Sequence, residues 1–209
     1  VYVEYQIMLS LQSENGTISF LPVALQFAEH RIINIFALKN NRTLGETILH
    51  PRYRSLKSTV DAHYRDYFNM PLGTFLLERK NQGDPFYRSF LNSYGDATFC
   101  TFRIDDAQVL SQKGLYAYVT GNKVRYLGRC RDVFGKRVNQ GYGMIHPKNC
   151  YRDGQATNCH LNALIAEQQA DISFHVFPMI DSDEIIRLER ALIQAHLPDW
   201  NIALKPLQM

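Results

Sequence analysis

Tyr116 closes the tripeptide Gly114-Leu115-Tyr116 and Tyr126 opens Tyr126-Leu127-Gly128, ten residues further on. Both lie in a segment, Lys113 to His160, that carries nine Lys/Arg against two Asp/Glu in a chain of formal net charge +3. The remaining residues of the 209 therefore sum to about −4. Cations hold phosphate, and phenols hydrogen-bond or move protons, so this combination points to a surface that handles phosphodiesters. A second signal comes from Glu189. Asp181 can cap a helix there, with Glu184 three residues on in a capping-box pattern. On a wheel of about 100° per residue, Ile185, Ile186, Leu188, Leu192 and Ile193 make one apolar stripe, with Asp183, Arg187 and Arg190 opposite. Glu189 falls in the middle of the stripe. A carboxylate facing a core is costly unless it is paired or holds a metal. It reads either as a buried salt bridge to one of the arginines or as a metal ligand.

The four cysteines, Cys100, Cys130, Cys150 and Cys159, are too sparse for a disulfide scaffold. With no secretion signal they read as reduced thiols of a cytoplasmic protein. His146, Cys150, Cys159 and His160 could be imagined around zinc, but no paired Cys-x-x-Cys spacing supports that, and core cysteines are the expectation. Val1 to Leu11 contain Glu4 and Gln6 and lack a basic leader with a cleavage site, so they do not read as a signal peptide. The absence of an initiating Met suggests a few residues upstream. No apolar run approaches the roughly 20 residues that span a bilayer, so no membrane partner is expected.

These residues need elements to position them. Leu115 to Val119 alternates as a strand, Gly121-Asn122 supplies a hairpin turn, and Val124 to Gly128 returns as its partner. Phe134 to Val138 starts a short helix, and Asn139 to Gln155 reads as a long glycine-bearing loop. Asn158 to Gln168 is a predicted helix, Ile172 to Pro178 a third strand, and Ser182 to His196 the helix of Glu189. The half before Leu110 reads as α-rich after a strand-like opening, with apolar residues at near-helical spacing from Ile18 to Leu38 and from Tyr53 to Phe68. Phe86 to Tyr94 is a further short helix, and Ala97 to Ile104 a strand. Residues 1–110 match no DNA-binding motif, although Arg52, Arg54 and Lys57 could touch a nucleic-acid backbone.

Taken in order, Gly114-Leu115-Tyr116, Tyr126-Leu127-Gly128, Arg137, the helical Glu189 and Asn201 resemble the GIY-YIG nucleases. The resemblance covers residues 113 to about 202. It implies an α/β (α+β) fold: a small three-stranded antiparallel sheet flanked by helices over residues 111–209, preceded by an α-rich recognition or oligomerisation region over residues 1–110. It also implies one Mg²⁺ or Mn²⁺ per site and a phosphodiester substrate. Tyr116 and Tyr126 would then flank the attacking water, one of them serving to remove its proton. A phenol ionises near pH 10, so such a base needs the basic surroundings of Arg129, Arg131 and Arg137. Arg137 would stabilise charge on the phosphate, Glu189 would hold the metal, and Asn201 would orient the end of the site. Leucine replaces isoleucine in both tripeptides, a volume-conserving change. The family's arginine usually sits one residue nearer the second tyrosine, where Lys136 stands, so Lys136 is the rival cation. A further histidine or tyrosine of the family would be Tyr142, His146 or His160. Arg129, Arg131, Lys136, Tyr142, His146 and Lys148 are the expected nucleic-acid contacts.

The leading expectation is a metal-dependent endonuclease acting on DNA, double-stranded for preference, possessing restriction-type chain length and forming a homodimer if both strands are cut together. A repair or single-strand nuclease uses the same chemistry. A non-catalytic nucleic-acid-binding protein with a degenerate module is the alternative from another class. A membrane or RNA surface with core tyrosines is a third, and it leaves Glu189 unexplained.

Overall fold

A computed structural model describes residues 8–14 and 16–202, so most of the stretch read for a leader lies outside the described residues. The architecture is mixed α/β, 44% helix and 23% strand, around a curled antiparallel five-stranded sheet. The strands are β1 (Leu9–Ser13), β2 (Gly16–Val23), β3 (Gln26–Phe27), β4 (Phe102–Arg103), β5 (Gly114–Thr120), β6 (Lys123–Cys130) and β7 (Ile172–Pro178). The helices are α1 (Leu44–Ile48), α2 (Lys57–His63), α3 (Leu72–Asn81), α4 (Ala107–Leu110), α5 (Phe134–Arg137), α6 (Ala156–Glu167) and α7 (Ser182–His196). No helix among the described residues is long and apolar enough to cross a membrane.

The chain forms two compact units, each discontinuous in sequence. Among the described residues, the first takes those of 8–28, 102–143 and 167–202; the second takes 29–101 and 144–166. Chain order alone, with its division at residue 110, does not yield this partition, because the opening hairpin joins the sheet of the tyrosine strands.

In the first unit the sheet order is β1-β2-β7-β5-β6. The three strands expected from the second half are present, but the sheet has five because residues 9–23 supply two more. Ile18 to Val23, expected as the start of a helix, lies in β2, which pairs with β1 through Phe20↔Leu9 and with β7 through Leu21↔Val176 to Val23↔Phe174. Periodicity misleads here because a short apolar run fits strand or helix equally. The β5–β6 hairpin turns at Gly121 as expected. β5 is buried along its whole length because β6 and β7 flank it and both of its faces are covered. Leu115, Ala117, Val119 and Leu127 pack with Ile185, Leu192 and Ile193 of α7. The alternate residues Tyr116 and Tyr118 turn the other way, against Phe174 and, for Tyr116, Phe134. α7 starts as the sequence predicts, with Asp181 accepting from the Asp183 and Glu184 backbone N–H groups. Those two bonds hold the Asp181 carboxyl below its ordinary range.

The second unit has its own aromatic core, including Phe36, Phe75, Phe90, Phe99 and Tyr151. The helix expected over Tyr53 to Phe68 is broken into a 3₁₀ turn, α2 and another 3₁₀ turn, and Phe86 to Tyr94 contributes only the 3₁₀ turn Pro85–Phe90. In the expected strand Ala97 to Ile104, only Phe102–Arg103 is extended sheet, with an isolated bridge at Phe99.

Candidate functional site

The glycines of the two tripeptides have distinct physical reasons. Gly114 has φ +148°, which side chains rarely adopt, and a Cβ there would meet the Phe177 carbonyl oxygen of β7 and, at 2.9 Å, the nitrogen of Met179 just beyond it. Gly128 is the register partner of Tyr116. A Cβ on it would lie 2.5 Å from Tyr116 Cζ and Oη and 2.6 Å from Tyr126 Cε1. The missing side chain is what lets the two rings converge over the strand.

They do converge. The Tyr116 and Tyr126 rings stack with centroids 6.0 Å apart, and the Tyr116 and Tyr142 hydroxyls are hydrogen-bonded at 2.8 Å. Tyr142, expected as a surface contact to nucleic acid or as the extra family tyrosine, is buried within this cluster. The loop expected from Asn139 begins instead inside a wide helical turn, Val138–Tyr142, that directly extends α5. Arg137, the last residue of α5, and Tyr142, at the end of that turn, thus lie on one short piece, with the Arg137 guanidinium carbon 5.9 Å from the Tyr142 ring centre. Burial lowers the Arg137 pKa, but the charges of the Tyr116 and Tyr142 phenolates and of the Cys130 thiolate outweigh it and hold the group above its ordinary value. Lys136 is exposed and paired with Asp132 at 2.7 Å. Of the two rival cations, Arg137 is therefore the one coupled to the tyrosines.

Burial pushes the Tyr116 phenol well above its ordinary value, aided by Tyr126 and Tyr142 and opposed by Arg137. Tyr126 is likewise raised by burial, then by Tyr142, with Glu189 adding to the push. The expectation that surrounding arginines would depress a phenol is thus not met, because desolvation of the phenolate exceeds the guanidinium's attraction. Both folded-state values lie above the unfolded one. Their stabilisation is therefore complete below about pH 10 and is lost as the pH rises beyond it. Denaturant midpoints measured against pH are expected to fall above about pH 10, and more shallowly in Tyr126→Phe. A midpoint equally steep in both proteins would contradict the assignment.

Glu189 is 8% exposed and ion-paired through Oε2 with Arg129 Nη1. Burial raises its pKa and Arg129 opposes the rise. Arg129, expected to touch nucleic acid, is thereby engaged: its register partner is Leu115, which turns it to the α7 side of edge strand β6. Both readings of the misplaced glutamate started from the same fact, and the salt bridge is present. Among the described residues no group of three His, Cys, Asp or Glu is arranged to hold a metal ion. Glu189 therefore lies on the α7 face of the sheet, opposite the face to which Tyr116 turns, and is linked to the phenols by its charge on Tyr126. It is one carboxylate, a hard oxygen donor of the kind that takes a Mg²⁺ or Mn²⁺ whose other ligands are water and phosphate oxygens.

Asn201 is buried, and its amide is spent on the backbone of Leu127: Nδ2 donates to the carbonyl at 2.8 Å and Oδ1 accepts from the N–H at 2.9 Å. It fixes the strand carrying Tyr126 rather than pointing a free amide at a substrate. Asp199, paired with Lys123 and Arg125, ties the same segment to the hairpin. Sequence reasoning missed this clamp, although Asp199-Trp200-Asn201 following a basic hairpin carries the signal. Lys123, Arg125, Arg129 and Lys136 are thus consumed in ion pairs. Arg131, which is exposed, and Arg137, exposed as a whole residue but with its guanidinium partly desolvated beside the phenols, are in none of the ion pairs found among the described residues.

His146, Lys148 and His160 belong to the second unit. His146 Nδ1 accepts from the Lys148 backbone N–H, and His160 packs on Tyr94 with ring centres 4.4 Å apart. Cys150 and Cys159 are buried with sulfurs 4.0 Å apart, in keeping with core thiols.

Compared with known proteins, the chain matches no family model, no curated protein and no solved structure.

Proposed function

We propose that the first unit is a GIY-YIG-like nuclease module and that the protein hydrolyses phosphodiester bonds in DNA with the help of Mg²⁺ or Mn²⁺. The observation that carries this reading is Gly128, the one position on β6 whose empty Cβ site is filled by both tyrosine rings. A pair of core aromatics needs no such glycine. Arg137 beside the same phenols and a buried carboxylate on α7 supply the remaining chemical types.

Hydrolysis joins a water oxygen to phosphorus and breaks one P–O bond, so the water must lose a proton and the departing oxygen must gain one. Tyr116 and Tyr126 are protonated at neutral pH, so neither acts as a standing phenolate base. Each can orient the water, and Tyr116 can accept its proton as it gives its own to Tyr142 along their hydrogen bond and Tyr142 gives its own to solvent, while the departing oxygen takes a proton from solvent. Arg137 suits the bidentate grip on phosphate that a lysine lacks. Glu189 would hold the cation through Oε1 while Arg129 keeps Oε2. When bound, the ion neutralises charge on the phosphate and on the departing oxygen. Asn201 acts by holding β6 in register.

A supercoiled-plasmid nicking assay tests the reading. Wild type is expected to nick in Mg²⁺ or Mn²⁺ and not in chelator. Arg137→Ala should lose at least ~10²-fold in rate, and Lys136→Ala should stay near wild type. Intact plasmid with both metals, and intact single-stranded DNA alongside, would leave a non-catalytic nucleic-acid binder as the better description.

A further inference from the structure

The second unit contains a feature that the nuclease reading does not use. His50-Pro51-Arg52 and His146-Pro147-Lys148 lie almost a hundred residues apart in the chain, yet they build the same local structure. Each opens a 3₁₀ turn with Pro at its start. In each, histidine Nδ1 accepts the backbone N–H of the basic residue, at 3.3 Å for Arg52 and 3.2 Å for Lys148. An Nδ1 that accepts leaves the ring's proton on Nε2, so both turns present an imidazole donor next to a cation.

The two turns meet around Asp153. Arg52 Nη1 donates to the Arg152 carbonyl at 3.2 Å, and the Tyr53 hydroxyl donates to Asp153 at 2.6 Å. Lys39 lies over the Tyr151 ring, 4.7 Å from its centre. Burial, and then the charges of Arg42 and Lys148, pull the Lys39 ammonium below its ordinary value against the attraction of Asp153. Lys39, Arg42, Arg52, Lys148 and Arg152 therefore crowd one face, with Asp153 as the carboxylate among them. Asp153 is itself held by Tyr53. Like charges gathered on one face destabilise the free protein, and a polyanion offsets that repulsion.

We infer that this face, built from the paired His-Pro-cation turns around Asp153, is a docking surface for the phosphodiester backbone of duplex DNA. It rests on the nuclease reading for its choice of polyanion, and it assigns phosphate contacts rather than base readout, since the groups it offers to the nucleic acid are cations and ring N–H donors.

The test is binding of a short labelled duplex by the full chain, followed by fluorescence anisotropy in chelator across a salt series. Each phosphate contact adds about 0.9 to the slope of log K against log salt. The triple variant Arg52→Gln, Lys148→Gln, Arg152→Gln should lower the slope by about 2–3 and weaken binding by at least ~10-fold. Arg52→Lys with Lys148→Arg should retain it. Arg31→Gln, Arg65→Gln, Arg187→Gln removes the same charge elsewhere and should bind as wild type. If wild type binds and the first triple variant matches it, or if the control triple loses as much, the docking surface is wrong while the nuclease reading stands. If wild type binds anionic vesicles and not DNA, the surface is wrong as to partner. If wild type neither binds nor nicks DNA, both fall.

Discussion

Glu189→Gln is expected to reduce DNA nicking by at least ~10³-fold while leaving the protein folded. The substitution keeps the shape of the side chain and removes its charge. It therefore leaves the Arg129 guanidinium without its counter-ion. Breaking a fully buried pair costs about 3–5 kcal/mol, but the Arg129 side chain is 35% exposed, and water takes up much of the loss. A destabilisation of about 1 kcal/mol is the expectation. The informative comparison adds Arg129→Gln. If Glu189 serves only as the partner of Arg129, the double variant should recover both stability and nicking. If Glu189 also holds the cation, stability returns and nicking does not. Denaturant midpoints and nicking rates on the three proteins decide it, and restored nicking in the double variant would reduce the glutamate to a salt bridge.

Gly128→Ala and Gly114→Ala should both be damaging, for different reasons and with different signatures. At Gly128 the new methyl meets the two tyrosine rings. Tyr116 is 1% exposed and enclosed by Tyr118, Phe134 and Phe174, so its ring has little room to retreat. Overpacking of this kind costs about 1–3 kcal/mol, which for a chain of this length lowers the melting temperature by several degrees, at about 2–4 °C per kcal/mol. The larger effect is on chemistry: parting the phenols should cost nicking ~10²-fold or more. At Gly114 the obstacles are backbone atoms of the adjoining strand and a φ of +148°. Neither can yield without disturbing the β5–β7 pairing, so the stability loss should exceed that at Gly128. Calorimetric melting and nicking rates separate the two. Wild-type values for Gly128→Ala would remove the argument that this glycine exists to admit the rings.

The elements whose apolar residues keep one period were legible. α7 was placed from Ser182 to His196 by its stripe and its Asp181 cap, and β7 from Ile172 to Pro178. The β5–β6 hairpin was legible from alternation around Gly121-Asn122. Ile18 to Val23 was not, since a short apolar run carries too few residues to separate a period of 2 from 3.6. Pro22 then reads as a helix interruption where it is in fact a residue of a strand lying opposite His175. Tyr142 was misjudged for a related reason: a glycine-bearing stretch reads as loop, whereas the wide turn after α5 carries it into the core.

By itself, the sequence determined the chemical types and the local frame: two phenols on paired strands, a cation after them, and a carboxylate on the apolar side of a helix. It also implied that Glu189 needed a partner. The tertiary structure alone decided that the partner is Arg129, because the Leu115↔Arg129 register turns that arginine toward α7. It decided as well that Tyr142 joins Tyr116, that Asn201 is spent on Leu127, and that the basic segment is shared between two units. The physical reason is common to all four. Periodicity along a chain reports which side of an element is apolar, but the neighbour that covers it is fixed by strand register and by where the chain returns.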